Sequence, residues 1–251
     1  MKPVPFERFP PDGCSEIIFQ LEDRNEVRRG HRIELEPAAF LVAQQRQPLE
    51  VRIGSKVRNL GVRFRPGGLF SILGVPLFEL VDQVIPLAAV WPRLERILIG
   101  QLDPKAPAAE LFQRTEAVLE DCFLPPKQCP CPVNAAVSSL GRASGCLSVS
   151  DLARVTGWSA RQLERRFRIE VGFGPKMLGR IMRFQTLLKK LASPQVQAPS
   201  WANLALASGY ADQAHLIREF RTLSGTTPGS FLRKTNPVLA AFLSGEFPPR
   251  Y

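Results

Sequence analysis

The stretch GYADQAHLIREFRTLSGTTPGSFL, residues 209–232, follows the same pattern as GWSARQLERRFRIEVGFGPKML, residues 157–178. In both, a glycine and an aromatic residue precede a segment in which two apolar residues stand four positions apart. These pairs are Leu163 with Phe167 and Leu216 with Phe220. Because residues four apart share one face of a helix, each stretch predicts a helix with one buried face. The chain therefore contains one structural unit twice.

A shorter helix is expected before each amphipathic helix. In the first copy Ser148 or Ser150 is a candidate N-cap, and Gly157 can end the short helix with a positive φ. Ser159 can then cap the amphipathic helix. Two helices joined by a tight turn that contains glycine form a helix-turn-helix, whose second helix fits the major groove of DNA.

The outward faces of the two amphipathic helices are basic. The outward positions are Arg161, Arg165 and Arg168 in the first copy and Ala214, His215, Arg218 and Arg221 in the second. An arginine guanidinium matches the O6 and N7 acceptors of guanine and also binds phosphates. A basic helix face that contacts only solvent is the alternative for either copy taken alone.

Charge is divided unevenly along the 251 residues. The net charge is +10, and the segment from residue 133 to the end holds 16 Lys and Arg against 6 Asp and Glu, so the first 132 residues are balanced. This division is typical of a nucleic-acid-binding module joined to a separate module. A solvated basic surface without a partner is the alternative.

At these motifs the chain resembles the AraC/XylS-type bacterial transcription regulators, whose DNA-binding domain contains two helix-turn-helix motifs. The hallmark end of that domain matches GYADQAHLIREFRTLSGTTPGSFLRK, and the resemblance covers residues 133–234. It implies a first helix near Asn134 to Leu140 and a linking helix over Pro175 to Leu191, which would be about 25 Å long. It also implies that one chain contacts two successive turns on one face of double-stranded DNA.

The resemblance implies roles for individual side chains. Base contacts are expected from Arg161, Glu164, Arg165, Gln213, Ala214, His215 and Arg218. Contacts with the DNA backbone are expected from Ser159, Arg168, Arg180, Arg183 and Arg221, with solvation as the alternative for the two in the linking helix. Ala214 departs from the family pattern because it offers only a methyl contact, and Glu164 would repel phosphate. RNA polymerase would be a partner if the protein is an activator.

A proline-rich segment separates the two halves. LPPKQCPCPV, residues 124–133, holds four prolines, which block both helix continuation and sheet pairing. We therefore expect an N-terminal domain over 1–124, a linker over 125–132, a DNA-binding domain over 133–234 and a tail over 235–251. Short alternating runs before Gly67 predict strands, and the apolar spacing after it predicts helices. The expected fold class is α+β, with an all-α second domain.

No motif of catalysis or phosphate binding stands in the N-terminal half. Asp12, Glu16, Arg63 and Arg65 could line a small-molecule pocket, or could be turn caps and solvated strand positions. The segments PDGCSEIIFQL, GVRFRPGG and LGVPLFEL resemble a sensory domain that precedes this DNA-binding domain in one branch of the family. That resemblance implies binding of a small effector, a homodimer, or both.

Cysteines suggest one rival function. Some DNA-alkylation repair proteins carry this helix-turn-helix type beside a methyl-accepting cysteine, and Cys122, Cys129 and Cys131 form a cluster. The acceptor motif Pro-Cys-His-Arg-Val is absent, and the cluster lacks the paired spacing of a zinc site. We therefore expect a regulator rather than an enzyme, without a metal or other cofactor. The chain has no apolar run long enough for a signal peptide or a membrane span, so the expected location is the cytoplasm.

Overall fold

The computed structural model describes residues 4–122, 132–192 and 200–234. Its strands lie in the N-terminal half and its C-terminal half is helical, which confirms the α+β class. Residues 125–131 of the predicted linker and the whole predicted tail lie outside the described residues, whereas Pro132 begins a helix.

The strands form two four-stranded antiparallel sheets within the described part of the chain. In chain order they are β1 (Glu7–Phe9), β2 (Ser15–Gln20), β3 (Glu26–Arg29), β4 (Arg32–Leu35), β5 (Ala39–Val42), β6 (Leu49–Arg52), β7 (Asn59–Phe64) and β8 (Val84–Pro86). One sheet has the order β1-β6-β3-β4 and the other β7-β2-β5-β8.

Strand β2 shows that one face of the second sheet packs on helices and the other lines a cavity. Successive side chains of a strand point to opposite faces. Ile17 and Phe19 are buried in a core shared with helices, whereas Glu16 and Ile18 face a cavity between the two sheets. The alternation of side chains along β2 therefore separates a packed face from a cavity-lining face.

Helices predominate after β7 and form the whole C-terminal half that the structure describes. In chain order they are α1 (Phe70–Leu73), α2 (Leu87–Val90), α3 (Pro92–Ile99), α4 (Ala108–Cys122), α5 (Pro132–Arg142), α6 (Val149–Thr156), α7 (Ala160–Val171), α8 (Pro175–Ala192), α9 (Trp201–Ala207), α10 (Gln213–Ser224) and α11 (Pro228–Lys234).

One prediction for the N-terminal half was wrong in detail. PLFELVDQVI, residues 76–85, has apolar residues at helical spacing, but it contains only a short 3-10 helix at Leu77–Glu79. The rest of it leads into strand β8, which pairs with β5 through Leu41 and Ile85. Pairing with the free edge of β5 satisfies backbone groups that a helix would have satisfied internally, so tertiary context decides the conformation.

Helix α8 is the centre of the second core. Side chains spread around most of its surface are fully or almost fully buried, namely Leu178, Ile181, Met182, Phe184, Leu187 and Leu188. Both helix-turn-helix units contribute to the same core, with Leu163 and Phe167 from α7 and Leu216 and Phe220 from α10. The inward positions predicted from the repeat are therefore confirmed.

The helix caps follow the local sequence. Ser148, rather than Ser150, caps α6, and Ser159 caps α7; each accepts a hydrogen bond from the backbone N–H three residues on. Gly157 ends α6 with φ of 71°, a left-handed conformation that a side chain disfavours. These caps fix the turn between α6 and α7.

Ser159→Ala should lower the free energy of unfolding by about 1 kcal/mol, because the backbone N–H of Gln162 loses its acceptor. Urea unfolding of the full chain measures this change. Ser159→Asp is the control, since its carboxylate also accepts that hydrogen bond, and it should keep the wild-type stability. An equal loss in both variants would show that the cap is not the cause.

Candidate DNA-binding surface and ligand pocket

The basic face of α7 is exposed at its N-terminal end. Arg161 and Arg165 are both exposed, and neither forms an ion pair with another residue that the structure describes. Arg168, for which a contact with the DNA backbone is predicted, is also exposed, and its guanidinium lies 5.6 Å from the centre of the Phe78 ring in the N-terminal region. A guanidinium over an aromatic face is attracted by the ring quadrupole, so the C-terminal end of α7 is held by the other half of the molecule.

Two other predicted residues of α7 have structural roles. The Ser159 hydroxyl and backbone N–H are both hydrogen-bonded to Gln162, 2.9 Å from its Oε1. The Glu164 carboxylate is exposed but lies against the Cα of Gly174, just before α8 begins. A carboxylate near a helix N-terminus is stabilised by the helix dipole. A base contact from Glu164 stays a prediction.

Helix α10 presents the second candidate surface. Gln213, Ala214, Arg218 and Arg221 are exposed. His215 is only partly exposed; its ring meets the Tyr210 ring edge to face at 5.4 Å, and its Nδ1 accepts a hydrogen bond from the N–H of Ala211 at 3.3 Å. His215 therefore helps to hold the turn before α10, in addition to its predicted role at a base.

The predicted backbone-contacting arginines of α8 have partners inside the protein. Arg180 forms two hydrogen bonds with the Glu219 carboxylate of α10, at 2.7 and 3.0 Å. The Arg183 guanidinium lies 5.9 Å from the centre of the Tyr210 ring. Both side chains are partly buried and join α8 to the second helix-turn-helix. Because these partners are distant in sequence, no local pattern could have indicated them.

A pocket of about 530 Å³ lies between the two sheets, since residues of both line it. Its wall includes three of the four side chains predicted for an effector site, Asp12, Glu16 and Arg63. Arg65, the fourth, is exposed and does not line the pocket. Most of the remaining wall is apolar and includes Ile18, Phe40, Val42, Leu49, Val51 and Ile53.

The polar groups of the pocket are centred on Arg63. Its guanidinium forms a salt bridge with Asp12 and lies 3.9 Å from Glu16 Oε2. Asp12 also accepts the backbone N–H of Cys14 at 2.9 Å. Burial raises the pKa of the Cys14 thiol to about 12, so this cysteine is not a nucleophile at neutral pH.

Glu36 is a pocket residue that the sequence analysis missed. It is almost fully buried and accepts a hydrogen bond from Gln20 Nε2 at 3.0 Å. Burial raises its pKa from 4.5 to about 7, even though hydrogen bonds from Asn25 and Gln20 favour the ionised form. Its position beside Pro37, in a charged turn, gave no sign of burial.

One wall of the pocket also contacts the second half of the chain. Phe9, Pro10, Pro11 and Asp12 line the pocket, and the carbonyl of Pro11 accepts a 2.8 Å hydrogen bond from Gln185 Nε2 of α8. Gly13 adopts φ of +81°, and a Cβ there would come within 2.9 Å of Leu178 Cδ1. No residue other than glycine fits this backbone and this contact without a shift.

The predicted cysteine cluster cannot be assembled from the described residues, because Cys129 and Cys131 lie outside them. Cys122 is partly exposed at the end of α4. In the described ranges no group of three His, Cys, Asp or Glu side chains is placed to hold a metal ion. No helix in the described ranges is long and apolar enough to cross a membrane.

Glu36→Gln should change how stability depends on pH. The wild-type carboxyl has a folded pKa of about 7 against an ordinary value of 4.5, so the folded chain binds more protons between these values and stability falls as pH rises through that window. Glutamine removes this loss. At pH 8 the variant should be more stable by up to about 3 kcal/mol, and at pH 4.5 the difference should vanish.

Urea unfolding at both pH values measures this effect, with Glu22→Gln at an exposed position as the control. A variant that is less stable than the wild type at pH 8 would contradict the assignment of Glu36 as a buried carboxyl.

Two family models match different parts of the chain. A helix-turn-helix domain family matches residues 152–234, and a domain of unknown function (DUF6597) matches residues 2–86. No curated protein matches the chain.

Solved structures of ToxT from Vibrio cholerae share the fold. The 1.65 Å structure in the P21 form has a TM-score of 0.50 at 9% identity and covers 93% of this chain and 95% of that one. A structure of ToxT from Vibrio cholerae O395 has a TM-score of 0.50 at 10% identity and covers 93% and 94%. A third, bound to (E)-4-(8-methylnaphthalen-1-yl)but-3-enoic acid, has a TM-score of 0.50 at 10% identity and covers 93% and 96%.

The matched helix-turn-helix region contains α7 and α10, the two helices that the repeat predicted to contact DNA. Residues 152–234 are therefore similar to a helix-turn-helix domain family, and the fold of the chain is that of the ToxT structures.

Proposed function

We propose that this protein is a sequence-specific DNA-binding regulator that responds to a small effector bound between its two sheets. The observation that carries the proposal is the segment from residue 9 to residue 13, in which residues 9–12 line the pocket and Pro11 and Gly13 contact α8. Helix α8 in turn packs against both recognition helices. One segment therefore contacts both the effector pocket and the helix that supports the DNA-binding surface.

DNA binding is supported by the two exposed faces. Arg161 and Arg165 on α7 and Arg218 and Arg221 on α10 are exposed cations in the half of the chain that carries the net charge of +10. The 18-residue helix α8 between the two units is about 27 Å long. This length is comparable with the repeat of the DNA duplex, about 34 Å, so the two units are suited to two successive turns of the major groove.

Effector binding is supported by the pocket itself. A mostly apolar cavity of about 530 Å³ with a few converging polar groups is typical of a small-molecule site. ToxT, which shares this fold, has been solved with an aromatic butenoic acid bound. The proposal assigns effector binding to an N-terminal domain over 1–124 and DNA binding to a domain over 133–234.

Contacts between the halves provide a route from the pocket to the DNA-binding surface. Arg8 Nη1 donates to the carbonyl of Gly225, directly after α10, at 2.7 Å. Together with the contacts of Pro11 with Gln185 and of Gly13 with Leu178, this bond ties the pocket wall and the residue just before it to the helical half. A ligand that moves this wall would change contacts that hold α8 and α10.

Three further parts of the proposal rest on the resemblance alone. They are a homodimer formed through the N-terminal domain, contact with RNA polymerase if the protein is an activator, and a cytoplasmic location. Each is consistent with a DNA-binding regulator.

Arg165→Ala should weaken binding to the preferred duplex by about 1 to 3 kcal/mol and relax the choice at one base pair, because a bidentate base contact is lost. Arg168→Ala should leave the sequence preference intact, since that guanidinium lies over Phe78. Selection on randomised duplexes with the full chain, followed by titration, measures both. Arg93→Ala, at an exposed position of α3, is the control for loss of one positive charge.

A change of sequence preference in Arg168→Ala together with an unchanged preference in Arg165→Ala would contradict the assigned face of α7.

Wild-type affinity should also fall by about 10³ to 10⁵ between 50 and 200 mM salt if 6 to 10 phosphates are contacted. Affinity that does not depend on salt would contradict DNA binding by this basic surface.

Gln185→Leu should weaken the coupling between the pocket and DNA while leaving ligand binding unchanged, because it removes only the hydrogen bond to Pro11. A thermal-shift screen of metabolites on the full chain identifies a stabilising compound, since a ligand that binds the folded state raises the melting temperature. DNA titration with and without that compound then gives the coupling in the wild type and the variant. Equal coupling in both would exclude this contact as the route, and a screen without any hit would remove the effector from the proposal.

A further inference from the structure

The pocket has an excess of carboxyl groups. Its described wall contains Asp12, Glu16 and Glu36, whereas Arg63 is the one side chain there with a permanent positive charge. That guanidinium already forms a salt bridge with Asp12 and lies 3.9 Å from Glu16. It is therefore poorly placed to neutralise an acidic ligand, which would also bring another negative charge beside the carboxyl groups.

Glu16 is the carboxyl group with the most unused capacity to accept hydrogen bonds. In the described part of the chain its carboxylate accepts no hydrogen bond, and the guanidinium of Arg63 is its nearest cationic group. It occupies the space over the Cα of Gly61, the residue of β7 that lacks a side chain. A carboxylate can accept several hydrogen bonds, so one that has only a distant ion pair in the wall of an apolar pocket is costly unless a donor reaches it.

The direction of the pKa shift of Glu16 agrees with this geometry. Burial raises its pKa from 4.5 to about 7, which shows that the pocket stabilises the ionised form poorly. A cation placed beside the carboxylate supplies the missing stabilisation, because an opposite charge within a few ångströms favours the ionised group.

The rest of the pocket wall determines the size and polarity of the uncharged part of the ligand. Ile18, Phe40, Val42, Leu49 and Val51 give the pocket a largely apolar lining, and its volume of about 530 Å³ accommodates a molecule of drug-like size. Burial of apolar surface would supply most of the affinity, and the carboxyl groups would set the orientation.

We infer that the pocket binds an apolar molecule that carries a cationic nitrogen, an ammonium or an amidinium, and that Glu16 is its main partner. This inference rests on the proposed function, in which the pocket holds the effector. Asp12 is already paired with Arg63 and Glu36 with Gln20, so their carboxyl groups add to the negative potential without being the first contact.

Three probes of the same size and shape test the charge preference on the full chain. They are 6-phenylhexylamine, 6-phenylhexan-1-ol and 6-phenylhexanoate, compared by isothermal titration calorimetry at pH 7.5. The amine should bind at least about tenfold tighter than the alcohol, and the carboxylate should bind most weakly. Glu16→Gln, which keeps the shape of the side chain, should remove the preference of the amine over the alcohol.

Glu22→Gln, at an exposed position outside the pocket, should keep the preference and controls for loss of one negative charge. If Glu16→Gln does not fold, Glu36→Gln serves as a second variant and should reduce the preference by a smaller factor. A carboxylate or alcohol that binds as tightly as the amine overturns the inference, as does a preference that survives Glu16→Gln.

Failure of the inference and failure of the proposed function give different results. A pocket that prefers the carboxylate would still be an effector pocket, so only the ligand class would be wrong. If none of the three probes binds, the inference is overturned. Salt-dependent duplex binding by the same preparation tests the proposed regulator without any probe.

Discussion

The packing of helix α8 is the constraint on which the rest of the structure depends. Phe184 is fully buried and meets the Phe220 ring of α10 edge to face at 5.1 Å, while Leu178 and Ile181 lie toward the N-terminal region at Gly13. A helix that is apolar around most of its surface is stable only when other elements cover it. The two helix-turn-helix units and the N-terminal segment are those elements, so their positions relative to one another follow from one buried helix.

Local signals explain why the helical half could be predicted from sequence. The apolar pairs of α7 and α10, the serine caps and the glycine that ends α6 each act within one helical turn, and all were confirmed by the structure. The predicted linking helix over 175–191 corresponds to α8, Pro175–Ala192. These features require no knowledge of distant residues, because helix hydrogen bonds and caps join residues three or four apart.

Features that join distant residues could not be predicted in this way. Arg180 was expected to face phosphate or solvent, but its partner Glu219 stands 39 positions away. The ring of Phe78, which lies beneath the Arg168 guanidinium, belongs to the other half of the chain. Strand β8 forms because the edge of β5 is available for pairing. The pocket was predicted in part, since Asp12, Glu16 and Arg63 surround it, whereas the burial of Glu36 depends on strands that only the folded chain brings together.

The pairing of β2 with β7 connects this pocket to the contact between the two halves. Glu16 stands opposite Arg63 in the antiparallel register, and Arg63 binds Asp12, which lies between Pro11 and Gly13 in the segment that packs on α8. A ligand can shift an equilibrium only by as much as its affinities for the two states differ. A cation beside Glu16 would compete with Arg63 for the same carboxylate, whereas the contact between Arg63 and Asp12 is already made. Glu16, which would bind the ligand, is thus linked through Arg63 to Asp12, and Asp12 lies in the segment whose Pro11 is hydrogen-bonded to α8. This short chain of contacts is enough for a ligand to favour one position of the segment over another.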